Sequence, residues 1–261
     1  MLMTGAREAA FYDSVASRYD GLLTAAPIDL WTRAAFQTLV TETIPTGRLL
    51  LDFGCGTGLD ALWYAQHGYR VLAYDVSAGM LEQLDRRCRS EISRGQIVAV
   101  NAPFADFAAV MGCQPRPDAV VSNWGVLNIL ARPRAFFDAI APLLAPGAPL
   151  VISVLNPFFW KDMTRRWWWA AFARSVLRTA ISTPGPGIAT HRHFIPSLVA
   201  AARPAFRLTG KASVGALVRR YRAALHWHRP RTLAERLEAR FWRTFPLRSC
   251  GMFIFLSFRR A

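Results

Sequence analysis

The chain has 261 residues, 52% of them hydrophobic, and a formal net charge of +15. That length suits one α/β domain with a small addition and a large core, and it excludes disorder and a default of two full domains. No apolar run approaches the roughly 18 residues of a membrane span, the opening MLMTGAREAAFYD lacks a leader-like apolar stretch, and Cys55, Cys88, Cys113 and Cys250 show no C-x-x-C spacing. The expectation is a cytoplasmic protein with reduced, buried thiols and with neither zinc nor disulfides.

The predicted elements alternate. Residues 6–24 form a helix with Phe11, Val15, Tyr19 and Leu22 on one stripe, and a second helix runs from Leu30 to Glu42, stopped by Pro45. Strand one is Arg48–Phe53, followed by a helix over Leu59–Gln66 that Gly68 ends. Strand two is Arg70–Tyr74, and Ser77 caps a helix reaching about Ile92. Strands follow at Gln96–Val100 and Ala119–Ser122, then a helix from Pro133 to Leu144 and strand five at Pro149–Leu155. Strands alternating with helices mean a parallel, doubly wound sheet. Beyond Pro157 lies a Trp- and Arg-rich stretch. Strands return at Phe206–Ser213 and Met252–Phe258, with a helix around Leu233–Thr244 between them.

The first strand-to-helix turn reads LLLDFGCGTG, and the next apolar run, RVLAYD, closes on Asp75, 23 residues after Asp52. Gly54, Gly56 and Gly58 let the backbone approach a ligand, because glycine has no Cβ and tolerates positive φ. A carboxylate at the tip of the second strand can accept from both hydroxyls of a ribose. The spacing is G-x-G-x-G, with Leu59 where a dinucleotide fingerprint needs its last glycine, and no G-x-x-x-x-G-K-[ST] loop exists. With Phe11-Tyr12-Asp13 and Tyr19-Asp20 upstream, residues 10–155 resemble the class I S-adenosylmethionine (SAM) dependent methyltransferases. The resemblance implies a Rossmann-like seven-stranded sheet, mostly parallel with an antiparallel last strand, helices on both faces and a helical lid inserted after strand five. It divides the chain into an N-terminal helical lid (1–45), a SAM-binding core (46–156), a Trp/Arg-rich helical insertion (157–203) and the rest of the core (204–261).

Carried onto matching positions, the resemblance implies a cofactor set. Asp52 accepts from the cofactor's amino group, Gly54, Gly56 and Gly58 approach its aminopropyl arm and ribose, and Asp75 takes the ribose hydroxyls. Val76 flanks the adenine, and Tyr19 reaches the carboxylate. Asn101 and Ala102 sit beside the adenine. Asn101 departs from the family's usual Asp but keeps an oxygen that can accept a hydrogen bond, and an Asx turn is an equally ordinary use of it. Asn123-Trp124-Gly125 follows strand four, where open α/β sheets bind ligands. Asn123 lines the cofactor, and Trp124 and Tyr12 are candidates for the acceptor's side. It is not the N-P-P-Y motif used on exocyclic amines of bases. The transfer needs mainly positioning, and a base only for a hydroxyl or a protonated amine. Base candidates are His191, His193, His226 and His228, of which the first two are preferred, and no metal site is expected.

The charge is lopsided. Residues 1–150 carry 12 Arg and 14 acidic groups, net −2, while residues 151–261 carry 20 Lys and Arg against Asp162, Glu235 and Glu238, net +17. By helical spacing Phe159, Trp160, Met163 and Trp167 share one face and Trp169, Phe172, Val176 and Ala180 another, which implies two short amphipathic pieces bent near Trp168. Two readings stay open for them, a lid over the substrate pocket or peripheral docking on an anionic inner-membrane surface. The leading expectation is methyl transfer to O or N of a small or lipid-like acceptor, with nucleic acid disfavoured. The rivals are an RNA or protein methylase, favoured only by the charge, and a non-catalytic cofactor-binding subunit.

Overall fold

The computed structural model describes residues 6–24, 27–175, 178–184, 187–217 and 232–261. Two helices lead, α1 (Ala6–Thr24) and α2 (Pro27–Thr43), followed by β1 (Leu49–Phe53), α3 (Leu59–Gln66), β2 (Arg70–Asp75), α4 (Ala78–Arg87), α5 (Arg89–Ser93) and β3 (Ile97–Asn101). Then come α6 (Phe107–Gly112), β4 (Ala119–Ser122), α7 (Arg134–Ile140), β5 (Pro149–Leu155), α8 (Trp160–Met163) and α9 (Arg166–Ala173). The remainder is β6 (Ala180–Thr183), β7 (Thr190–His193), α10 (Ile195–Ala202), β8 (Phe206–Val214), α11 (Leu233–Phe241) and β9 (Phe253–Arg260).

Seven strands form one sheet in the order β3-β2-β1-β4-β5-β9-β8. β1 to β5 pair in parallel, and β9 runs antiparallel to both β5 and β8. Alternation sorts the side chains. Leu49, Leu51 and Phe53 join Leu72 and Tyr74 in a core closed by Phe107 of α6, Phe136 and Phe137 of α7 and Leu198 of α10. Leu50, Val71 and Ala73 face the opposite core, closed by Trp31 and Phe36 of α2, Tyr64 of α3 and Leu84 of α4. The sheet is therefore buried on both sides, as parallel sheets require. The sheet order changes direction of travel at β1 and β4, so the crevice beyond their carboxyl ends is where a ligand cleft belongs.

Several sequence expectations need correction. The helix expected from Ser77 to Ile92 is two helices, broken at Cys88, whose φ of −101° and ψ of 18° leave helical geometry. The helix expected to reach Leu144 ends at Ile140 and passes into a 3-10 turn containing Pro142, which has no N–H to continue the ladder. The insertion is only partly helical. β6 and β7 pair antiparallel, Ala180 opposite His193 and Thr183 opposite Thr190. The Trp-rich pieces break at Thr164–Arg165, ahead of Trp168, and that shifts the helical phase. Trp168 is thus the buried ring, stacked on Phe172 at 4.9 Å with its Nε1 donating to Pro157 O at 2.8 Å, while Trp160, Trp167 and Trp169 are exposed. Cys55 and Cys88 are buried, but Cys113 is exposed and Cys250 half-buried, because both follow short helical turns at the surface.

Candidate functional site

The cleft lies where the sheet geometry puts it. Its lining includes Tyr12, Tyr19, Asp52, Gly54, Gly56, Asp75, Val76, Asn123 and Trp124, and its empty space, open mouth included, is about 1040 Å³. Ligand clefts usually enclose ~300–1,000 Å³, so a nucleoside-sized cofactor and an acceptor both have room.

The glycines of the first turn divide their work. Gly54 has φ +75°, and a Cβ there would stand 2.6 Å from Val126 Cγ2, so this glycine lets the β1 turn close on the loop after β4. Gly56 has φ +55° and only Tyr19 within reach, at 3.9 Å, so it leaves its space to the cleft. Gly58 caps α3 at φ +81° and is not part of the lining. A Cβ there would meet Leu84 Cγ at 2.7 Å and Cys88 Sγ at 3.2 Å.

Asp75 sits between two loops. Its Oδ2 accepts from Gly56 N at 2.9 Å and its Oδ1 from Ser77 N at 3.0 Å. Burial raises its pKa, and these backbone donors work against that rise. Asp52 is more exposed to cost. It is buried at the end of β1, its Oδ2 has no hydrogen-bond partner, and burial with the nearby Asp60 charge raises its pKa above the ordinary Asp value. A buried acceptor left unpaired is what a cationic or N–H donor in the cleft would satisfy.

Beneath the two carboxylates lies a polar cluster that sequence reasoning missed. Arg33 of α2 forms an ion pair with Asp60 of α3, and its guanidinium rests 5.1 Å from the Trp124 ring centroid. Gln37 Nε2 donates to Asp60 Oδ1 at 2.9 Å and Asn123 Nδ2 to Asp60 Oδ2 at 3.1 Å. Asn123 Oδ1 accepts in turn from Trp124 N at 2.8 Å and Ser153 Oγ at 2.9 Å. This bracing holds Trp124 at φ +58°, a left-handed conformation rarely taken by a bulky residue and concentrated at functional loops. The available signal was the Arg33–Gln37 pair at i and i+4 of α2, with Asp60 in the first turn after the glycine loop.

α1 closes over this floor. Asp13 Oδ1 accepts from Ser77 Oγ at 2.6 Å and Gly79 N at 2.8 Å, and Asp20 accepts from Thr57 Oγ1 and pairs with Arg87. The two acidic residues of the F-Y-D and Y-D pairs are therefore latches to the β2–α4 turn and the glycine loop. Tyr12 and Tyr19, six ångströms apart edge to face, are the residues these latches hold in the lining. Burial and the Asp75 charge push Tyr19 up to about 12, so it stays a neutral donor.

Other expected residues lie elsewhere. Asn101 is exposed at the end of β3, its Nδ2 donating to Asp75 O at 3.0 Å, and Ala102 is buried in the core, its carbonyl accepting from Tyr74 OH at 3.0 Å. Neither is part of the lining. His193 is buried, with Nε2 2.9 Å from Leu130 O and 3.2 Å from Leu127 O, so that nitrogen carries the proton and pins β7 to the loop after β4. Its Nδ1, also buried, has no hydrogen-bond partner. His191 lines a second, smaller cavity with Arg7, Glu8, Ile129 and Ile188, which adjoins the cleft through Glu8 and Ile129. Its Nδ1 lies 2.8 Å from Ser182 Oγ, and burial lowers its pKa, so the ring is neutral near pH 7. His226 and His228 lie outside the described residues. Among the described residues no group of three His, Cys, Asp or Glu side chains is arranged to hold a metal ion.

The cleft's charge runs against the chain's. Its lining holds Glu8, Asp52, Asp60 and Asp75 against Arg33, so the basic excess of the C-terminal half is spent on other surfaces.

A family model described as a methyltransferase domain matches residues 25–184. The chain belongs to the methyltransferase family. Its relatives include demethylmenaquinone methyltransferases of Paenarthrobacter aurescens, 30% identical over 56% of this chain and 53% of that protein, and of Clavibacter sepedonicus, 32% identical over 55% and 56%. The chain thus spans about half the length of these relatives. Among solved structures, the CcbJ methyltransferase of Streptomyces caelestis matches with a TM-score of 0.61 at 19% identity, covering 97% of this chain and 99% of that one. The 1,6-didemethyltoxoflavin-N1-methyltransferase of Burkholderia thailandensis, solved with S-adenosylhomocysteine, matches with a TM-score of 0.59 at 14% identity, covering 98% and 88%. At these identities the methyltransferase shares their fold.

Proposed function

We propose that this methyltransferase moves a methyl group from SAM to an oxygen or nitrogen of a small, lipid-like acceptor. The observation that carries the reading is the pair of buried carboxylates in one cleft, Asp52 with an unpartnered Oδ2 and Asp75 at the tip of β2, on either side of the glycine turn. The relatives named for demethylmenaquinone support an apolar acceptor.

SAM, when bound, supplies a methyl group already activated by a positive sulfur. The protein's share is binding and orientation. Asp75, fixed by Gly56 N and Ser77 N, accepts from the ribose hydroxyls with its remaining lone pairs. Asp52 Oδ2 accepts from the ammonium group, and the acidic lining favours a cationic ligand. Tyr19 donates toward the carboxylate, and Val76 and Phe104 offer apolar surface to the adenine. Trp124, Val126, Ile129 and Leu130 keep the acceptor's side dry, so the gain comes from alignment without water. If the acceptor is a hydroxyl, the base in this reading is His191, neutral, oriented by Ser182 and lining the cavity that adjoins the cleft.

Calorimetric titration with S-adenosylhomocysteine tests the binding half. Asp75→Ala is expected to weaken affinity by about 1.5–3 kcal/mol, the value of a charge-assisted hydrogen bond. Unchanged affinity would remove the ribose assignment, and tight NAD binding would overturn the cofactor. Product analysis with a methyl-labelled cofactor and a prenylated quinol tests the acceptor class.

A further inference from the structure

Helix α11 is built the wrong way round for a surface helix. Its acidic residues point inward. Glu235 closes a capping box with Thr232, and the buried Glu238 carboxylate accepts from the backbone amides of Gly215, Ala216 and Leu217. Its apolar residues point outward at i, i+4 and i+8. Leu233 is 73% exposed, Leu237 40% and Phe241 39%, and Phe245, four residues further on, is 77% exposed. Arg236, Arg240, Arg243 and Arg248 are also exposed, and Arg240 lies 5.8 Å from the Phe241 ring centroid. With the glutamates turned in, the outer face of α11 offers hydrocarbon, an aromatic ring and the guanidinium groups of Arg236 and Arg240, while Arg243 beyond its end pairs with Glu42.

The loop gripped from the inner side of α11 also meets the Trp-rich turn. Trp160, 50% exposed, donates from Nε1 to Ala216 O at 3.3 Å, and Ala216 belongs to the loop that Glu238 grips. Exposed Arg165 and Arg166 continue the same chemistry beside Trp167 and Trp169. An exposed apolar stripe rimmed by arginine marks a docking site, and its composition selects the partner. We propose that the outer face of α11 docks peripherally on an anionic lipid bilayer. Leu233, Leu237 and Phe241 enter the acyl boundary, while the arginines stay at the level of the anionic headgroups. The proposal rests on charge complementarity. The chain's whole basic excess lies in residues 151–261, at net +17, while the reaction cleft is lined mainly by acids. It stands apart from the methyl-transfer reading and needs no turnover to test.

The experiment is co-sedimentation with vesicles of phosphatidylcholine alone and of phosphatidylcholine mixed with phosphatidylglycerol, at low and high salt. Wild type should partition onto the mixed vesicles only, and more weakly as salt rises. The triple variant Leu233→Ser, Leu237→Ser, Phe241→Ser should lose roughly tenfold or more of that partitioning. It should keep its affinity for S-adenosylhomocysteine at a temperature where it is folded, since none of the three residues lines the cleft, and the single variant Leu233→Ser, at the most exposed position, should keep the melting temperature as well while still weakening partitioning. The Arg236→Gln, Arg240→Gln variant, which leaves the apolar stripe intact, should weaken binding at low salt and matter less at high salt. Equal binding to both vesicle types, no binding to either, or a triple variant that binds like wild type would each overturn the proposal. So would light scattering that finds a wild-type dimer which the triple variant dissolves, because the stripe would then join two copies of the chain.

Discussion

Gly58 and Gly56, two residues apart in one motif, should fail in opposite ways when replaced. Gly58→Ala puts a residue with a Cβ at φ +81°, which costs ~1–2 kcal/mol in the left-handed region. Its methyl would also stand 2.7 Å from Leu84 Cγ and 3.2 Å from Cys88 Sγ, an overpacking that costs ~1–3 kcal/mol. Together these give roughly 2–5 kcal/mol of lost stability, or a melting temperature lower by roughly 5–15 °C. Gly56→Ala pays only the backbone strain, since its nearest neighbour is Tyr19 at 3.9 Å, but its methyl takes up cleft space. It should weaken S-adenosylhomocysteine binding by about tenfold or more, ~1.4 kcal/mol. Urea and thermal unfolding read the first effect. Calorimetry at a temperature where both variants are folded reads the second. The reasoning is refuted if Gly58→Ala melts with wild type, or if it loses more affinity than Gly56→Ala.

Asp52 gives a pH signature. Its folded carboxyl is raised above an unfolded value of about 3.9. The folded state therefore holds the proton more tightly, and stability declines as pH rises from about 4 through the folded value. Asp52→Asn should flatten that decline, gaining on wild type in urea unfolding as pH rises, while losing affinity for the amino-bearing cofactor. A variant whose pH profile parallels wild type would refute the burial argument. Arg33→Met removes one partner of the buried Arg33–Asp60 pair, a loss that ordinarily costs ~3–5 kcal/mol. Gln37 and Asn123 still donate to Asp60, so about 2–3 kcal/mol is expected by urea unfolding. A change within about 0.5 kcal/mol would show the pair to be idle.

The sheet could be read in the sequence because its signals are local. Each parallel strand is a short apolar run closed by a turn residue, and the expected bounds of β4 and β5 coincide with those observed. Asp52, Asp75, Gly54 and Gly56 could be located because the strand-to-turn junction dictates where they point. What stayed hidden depends on contacts across the chain. Gly58 belongs to the same motif by spacing, yet its role is set by Leu84 and Cys88 in a helix that sequence does not bring near it. The Arg33–Asp60–Asn123 cluster draws on three elements, so the Arg33–Gln37 spacing on α2 does not by itself say which carboxylate it faces. His191 and His193, two positions apart on β7, share one face of the strand with their rings 6.3 Å apart, and differ in what lies opposite each of them. One side chain faces the loop after β4 and the other a cavity, and that distinction requires knowing what packs against β7. The two Trp-rich pieces are as expected, but the break between them falls at Thr164–Arg165 and not near Trp168, which shifts the helical phase of every ring after it.

The position of β9 has a consequence for how the molecule is assembled. β8 touches the seven-stranded sheet only through β9, which lies between it and β5. A growing chain that has produced residues 49–155 already possesses the strands that frame the cleft, yet the edge of β5 stays bare until residues 253–260 emerge about a hundred residues later. Between those moments β8 has no place to pair. An unpaired strand edge is a template for another chain, so the interval before β9 arrives is when this protein is most open to aggregation, and a ribosome pausing between β8 and β9 would lengthen it.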